Sequence, residues 1–334
     1  MKSVCGLLIM CLVDSTLVSS RSTLPLQGQQ QPVREVIVSE IHGVIAAGSR
    51  WSLVWQGTDN ADGIVGTPDG GLLFAQEQPK RVSKVDKADK LSVYVEHTDG
   101  AGSLALDVRG RVIGVQRTCT DPGLNAPCSE PTKIAIIHPT NERRTLADRF
   151  QGKPLGRLND LVVDKKSGVY FTVGGAYYVN PRGDVSAIGE NLRTNGIMLS
   201  PDEKTLYVTN GPVVVAFDVQ PDGTVLNQRD FARLEAGGSG DGLAIDGNGR
   251  LYVTSNPGVQ VFSPEGKYLG VIPTPRVVIS VAFSGADKRT LYVVGGGALD
   301  ADGKEVVTAP GVRNNAKSIF KIPMLAEGFK GRAK

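Results

Sequence analysis

The sequence predicts an all-β, six-bladed β-propeller. Three observations carry the prediction: 41 glycines and 19 prolines in 334 residues, the absence of a long helical periodicity after roughly the first thirty residues, and one phrase that recurs along the chain. The phrase is a small polar residue, an apolar strand, an Asp/Gly/Pro turn and a second strand ending in Val-Thr or similar. Short strands with tight turns favour one repetitive β domain over an α/β enzyme.

The copies are Asp62–Phe74, Ser103–Ile113, Asn159–Phe171, Asn195–Val208, Asp241–Val253 and Ser280–Val293. A repeat at intervals of tens of residues is the signature of propeller blades. Each copy supplies two strands and the residues after it supply two more, as in Gly258–Phe262 and Lys267–Val271 around a Pro-Glu-Gly turn. Radial four-stranded blades would then use nearly all of residues 35–325. The alternating segment Arg34–Ile41 is expected to pair with the last blade, closing the ring and covering its edge.

Outside the repeat, Met1-Lys2, the apolar stretch Val4–Val13 and the small residues that follow read as a secretory signal over 1–20, despite Asp14. A Gln-rich linker follows over 21–34, and 326–334 reads as a basic tail. A secreted or periplasmic protein is expected, monomeric by default. No later stretch has the ~20 apolar residues of a membrane span. With 37 basic and 34 acidic residues, net +3, and no dense basic run, nothing points to nucleic acid. Cys5 and Cys11 fall in the signal. Cys119 and Cys128 bracket a turn-rich loop and are expected to form a disulfide if the compartment is oxidising, worth roughly 2–3 kcal/mol on the chain-entropy model; two free thiols are the alternative.

In a propeller the first strand of each blade lines the central channel, so the residues opening the repeats should ring the axis. Those are Asp62, Ser103, Asn159, Asn195, Asp241 and Ser280, each with a side-chain oxygen. Carboxylates and amide carbonyls converging there suit one divalent cation, Ca²⁺ before Mg²⁺, Mn²⁺ or Zn²⁺. Two carboxylates so placed repel each other unless a cation intervenes. The loops after the second strands return to the same face: Gln76–Lys80, the Cys119–Cys128 loop, Gly174–Tyr178, Asn210–Pro212, Ser255–Gly258 and the segment after Val294. They are the expected substrate walls. The three histidines, His42, His97 and His138, lie in no nucleophile-elbow context and no Gly-x-Ser-x-Gly occurs, which argues against a serine hydrolase.

Arg157-Leu-Asn-Asp160, Asn195–Val208 and Asp241–Asp246 resemble the senescence-marker-protein-30, gluconolactonase and luciferin-regenerating-enzyme family, over about Asp59 to Val293. The resemblance implies a propeller with one divalent cation held by Asp62, Asn195 and Asp241, with Asn159 near metal or substrate and Arg157 contacting substrate. It implies hydrolysis of a small, sugar-type lactone by activated water, with Asp241 as the proton acceptor. Two departures stand out. Asp62 replaces the family's usual Glu, and Val173 stands where many relatives have Asp after Phe-Thr. The alternative is a non-catalytic secreted propeller with a structural metal that binds a glycan or protein. A strictosidine-synthase-like condensing propeller would need a catalytic Glu instead of this Asp/Asn/Asp set.

Overall fold

The computed structural model describes residues 35–117, 131–299, 302, 306 and 317–331. The expected signal, most of the linker and the Cys119–Cys128 pair lie outside the described residues. Six four-stranded antiparallel sheets form the blades, and the inner strand of each contacts the inner strands of both neighbours, so the ring is closed.

From the axis outward, blade I is Ile64–Gly66, Leu72–Gln76, Arg81–Val85 and Leu91–Val95. Blade II is Ala101–Leu106, Val112–Gln116, Lys133–His138 and Arg144–Ala147. Blade III is Leu161–Val163, Val169–Val173, Gly175–Val179 and Val185–Ile188, and blade IV is Thr194–Leu199, Thr205–Asn210, Val213–Val219 and Val225–Arg233. Blade V is Leu243–Ile245, Leu251–Ser255, Gly258–Phe262 and Tyr268–Pro273. Blade VI is Val278–Ser284, Thr290–Gly296, Lys317–Pro323 and, outermost, Ser52–Gly57. The second strand of blade I is buried throughout and its outer strand is exposed at four of five positions, as expected of a sheet packed on its neighbours near the axis and solvated at the rim.

Two expectations need correction. The ring is closed by Ser52–Gly57, paired antiparallel with Lys317–Pro323, and not by Arg34–Ile41. That earlier segment packs without pairing as a strand: Val38 and Ile41, with Val44 and Ile45 after them, bury themselves in one cluster with Tyr252, Val261, Val281 and Phe283 of blades V and VI. Gly174–Tyr178 is also not a loop, because Gly175–Val179 is the third strand of blade III, leaving Gly174 as the turn.

The turns that close each inner strand explain the repeat's Asp and Gly. In blades II, III and V a single Asp folds the turn: Asp107, Asp164 and Asp246 each accept backbone N–H bonds from residues two and four further on. Blade IV uses Ser200 with Asp202, and blade I uses Thr67 with Asp69. At this turn end the C-terminal segment packs on, with Gly247 N–H donating to Glu327 O and Phe329 N–H donating to Ile245 O. Residues 326–329 thus dock on blades V and VI rather than trail as a tail.

Candidate functional site

The opposite end, where the inner strands begin, holds the candidate site. Asp62, Ser103, Asn159, Asn195, Asp241 and Ser280 all line one narrow cavity there, together with Asp160. The repeat therefore brings together every residue it was expected to. Glycine makes this possible. Gly63, Gly196 and Gly242 follow Asp62, Asn195 and Asp241, and a Cβ on them would come within 2.4, 2.1 and 2.8 Å of Ser103 Cα, Asp241 O and Ile279 O of the next blade. Gly63 and Gly242 use that closeness to donate N–H bonds to Gly102 O and Ile279 O.

The threonines of the second strands brace the same backbone. Thr172 Oγ1 donates to Asn195 O at 2.5 Å, Thr209 Oγ1 accepts from Gly196 N at 2.7 Å, and Thr254 Oγ1 donates to Gly242 O at 3.1 Å. They are the Val-Thr endings of the sequence repeat, and they fix the main chain from which Asn195 and Asp241 project.

In blade III an acid stands where blades I, IV and V have glycine. Asp160 accepts from Ser103 Oγ at 2.7 Å, from its neighbour Leu161 N at 2.9 Å and from Ile197 N at 3.1 Å, so one buried carboxylate joins blades II, III and IV. Its partners mark it as a structural bridge.

Three further charged side chains meet at this end. Arg117, just past the second strand of blade II, donates from Nη1 to Asp62 Oδ2 at 2.6 Å and to Glu77 Oε2 at 3.1 Å, from Nε to Leu158 O at 2.9 Å and from Nη2 to Asn159 O at 3.2 Å. Burial works against its charge, but Asp62 and Glu77 outweigh that and hold its pKa above the ordinary value. Arg157 grips Glu77 with two bonds of 2.9 and 2.8 Å. Arg157 was expected to contact substrate, and Asp62 to hold metal; the structure gives both a protein partner. Sequence reasoning missed Glu77 and Arg117. Both sit at equivalent second-strand ends, outside the repeated phrase, and only the repeat register could have flagged them.

Asp241 is different. Burial, then the charges of Asp62 and Asp160, push its carboxyl well above the usual range, against the pull of Arg117 and a side-chain hydrogen bond with Asn195. Asp62, Asp160, Asp241 and Glu77 face two arginines, so the fully ionised end is short of positive charge. Among the described residues no three of His, Cys, Asp and Glu are grouped as a metal site. A cation here would depend on amide oxygens such as that of Asn195, and the donor set, all hard oxygens with uncompensated negative charge, fits a divalent ion of the Ca²⁺ type.

Fold and site together define a closed six-bladed propeller with an oxygen-lined channel mouth. Residues 61–296 match the SMP-30/Gluconolactonase/LRE-like region, and the chain belongs to that family. It is 29% identical over 284 residues to a gluconolactonase of Zymomonas mobilis, spanning 75% of this chain and 77% of that one. Its fold is similar to that of a gluconolactonase from Xanthomonas campestris, with a TM-score of 0.68, 21% identity and coverage of 89% and 98% of the two chains. It is also similar to a calcium-binding regucalcin from Agrobacterium tumefaciens, with a TM-score of 0.62, 15% identity and coverage of 82% and 95%.

Proposed function

We propose that this protein is a lactonase that opens a small, sugar-type lactone with the help of one divalent cation. The observation that carries the reading is the convergence of Asp62, Asn159, Asn195 and Asp241 on one cavity, in a chain whose relative of similar length is a gluconolactonase.

Asp62, Asn195 and Asp241 would hold the cation, which when bound supplies a Lewis acid for the lactone carbonyl and makes water a better proton donor. Asp241 takes the proton from the attacking water, because its carboxylate lines the cavity and has Asn195 as its side-chain partner. The water oxygen bonds to the acyl carbon, the ring C–O bond breaks, and the released alkoxide recovers a proton to give the hydroxy acid. Asn159, its main-chain oxygen tied to Arg117, would orient the ester. Arg157, held by Glu77, would orient the hydroxyls.

A pH-indicator assay over several aldonolactones, with Ca²⁺, Mg²⁺, Mn²⁺ or Zn²⁺ at saturation, tests the proposal. Hydrolysis that disappears with chelator is the expected result. No hydrolysis of any lactone with any of these ions would sink it and favour a binding propeller.

A further inference from the structure

We propose that Arg117 is a built-in counter-cation that holds down the channel's affinity for a divalent ion, by engaging Asp62 and filling the place where Gly102 leaves the ring without a side chain. The inference rests on reading the channel mouth as a cation site.

Register exposes the exchange. Ile64 pairs with Phe74 in blade I as Leu104 pairs with Gly114 in blade II. Counting back two residues makes Gly102 the counterpart of Asp62, and counting forward three makes Arg117 the counterpart of Glu77. A Cβ on Gly102 would lie 2.2 Å from Arg117 Cζ and 2.3 Å from its Nε. Any larger residue at 102 and the observed guanidinium therefore exclude each other. Blade II keeps Ser103 on the cavity but has no side chain at the register position of Asp62, and the guanidinium from the end of its second strand stands in that space.

The charge is directed at Asp62. Glu77 is already neutralised by the two bonds from Arg157, and Arg117 lies nearer Asp62, at 2.6 Å, than Glu77, at 3.1 Å. The Arg117 side chain is 5% exposed and also donates to Leu158 O and Asn159 O, so it is fixed between blades I and III and not swept away by solvent. Guanidinium does not lose its proton in the working pH range, so the repulsion it exerts on an incoming cation is permanent. Because Arg117 is buried, such repulsion is screened less by salt than that of a surface charge. The device keeps cation binding modest and exchangeable where Asp62 and Asp241, both on the cavity, would otherwise bind more tightly.

The test is calorimetric titration of CaCl₂ into the chelator-stripped full chain. Arg117→Met should bind Ca²⁺ at least tenfold more tightly than wild type, while Arg117→Lys, which keeps the charge, should stay within threefold. Glu77 retains Arg157 in both, and Asp62 borders the cavity, so neither change strands a buried acid. If Arg117→Met does not fold by circular dichroism, Arg117→Gln carries the same expectation, with amide donors left for the Leu158 and Asn159 carbonyls. Wild-type binding that Asp241→Asn removes, together with unchanged or weaker binding by the folded neutral variants, overturns this inference alone. No binding by wild type or neutral variants overturns the cation reading and this inference with it.

Discussion

Asp241 and Asp246 stand at opposite ends of one three-residue strand, Leu243–Ile245, and the sequence gives both a carboxylate beside a glycine. Asp246 is fully buried and saturated. It accepts from Asn248 N and Arg250 N at 2.9 Å each, from Arg250 Nε at 2.6 Å and from the Tyr252 hydroxyl at 2.9 Å. Asp241 faces a cavity, has Asn195 as its side-chain partner, and feels two other acids. An acid whose oxygens are all spent on donors is a building element; one left short of donors among like charges is available for chemistry. Asp107 and Asp164, folded into turns, follow the pattern of Asp246.

The contrast breaks if the two aspartates prove interchangeable under mutation. Asp241→Asn should lower lactone kcat by about 10²–10⁴-fold, the usual cost of losing a general base, with the melting temperature of the cation-free protein unchanged or raised. Steady-state kinetics and a thermal melt read both. Asp246→Ala should do the reverse. It strands the Arg250 guanidinium, whose side chain is 13% exposed, and should cost about 3–5 kcal/mol, or roughly 6–15 °C in Tm, while the folded fraction keeps its kcat within a few-fold. Wild-type activity in Asp241→Asn would end the assignment of Asp241 as base.

Cation binding sharpens the comparison further. Only the channel end should respond, so Ca²⁺ at a hundredfold excess over its Kd should stabilise wild type by about 2.7 kcal/mol by mass action, and chelator should reverse it. Asp246→Ala should keep the full increment from its lower starting point. Asp241→Asn should lose most of it. An equal increment in all three, followed by differential scanning fluorimetry, would place the ion elsewhere.

Much of this was legible in the chain because a propeller repeats its physics. The Asp-Gly and Asn-Gly pairs at 62–63, 195–196 and 241–242 are required where neighbouring blades nearly touch at the channel, the Asx turns at Asp107, Asp164 and Asp246 leave their mark two and four residues on, and the six polar residues opening the repeats all reached the channel. Three things were not legible. Arg117 and Glu77 lie beyond the repeated phrase, and their pairing depends on a vacancy at Gly102 that a sequence shows only as one more glycine. Asp160 looked like the second half of a site motif, although its oxygens tie three blades together. Ser52–Gly57 shows no alternation because none of its residues is buried and its exposed and half-buried positions follow no period of two, whereas residues 35–41 pack Val38 and Ile41 on the blade cores without forming a strand.

The smallest expected effect lies at the turn end, where Lys288 tests whether saturation there is general. It sits in the blade VI turn after Asp287, and its Nζ makes a long 3.5 Å bond to Phe283 O. Burial lowers its pKa to about 8 from an ordinary 10.5. Below pH 8 the folded protein carries the full cost of a buried ammonium. Between pH 8 and 10.5 the unfolded chain holds a proton that the folded chain has released, so raising the pH favours the folded state. Burial holds Tyr170 and Tyr252 above the ordinary tyrosine value, and because the unfolded chain ionises first they oppose this gain from about pH 10 upward. The clean window is therefore roughly pH 8 to 9.5. Wild type should gain stability across it in urea titrations, and Lys288→Met should be more stable than wild type at pH 7 with a flatter profile above pH 8. A mutant profile parallel to wild type through that window would mean that Lys288 keeps its proton in the fold, and that the turn end satisfies its ammonium as fully as it satisfies Asp246.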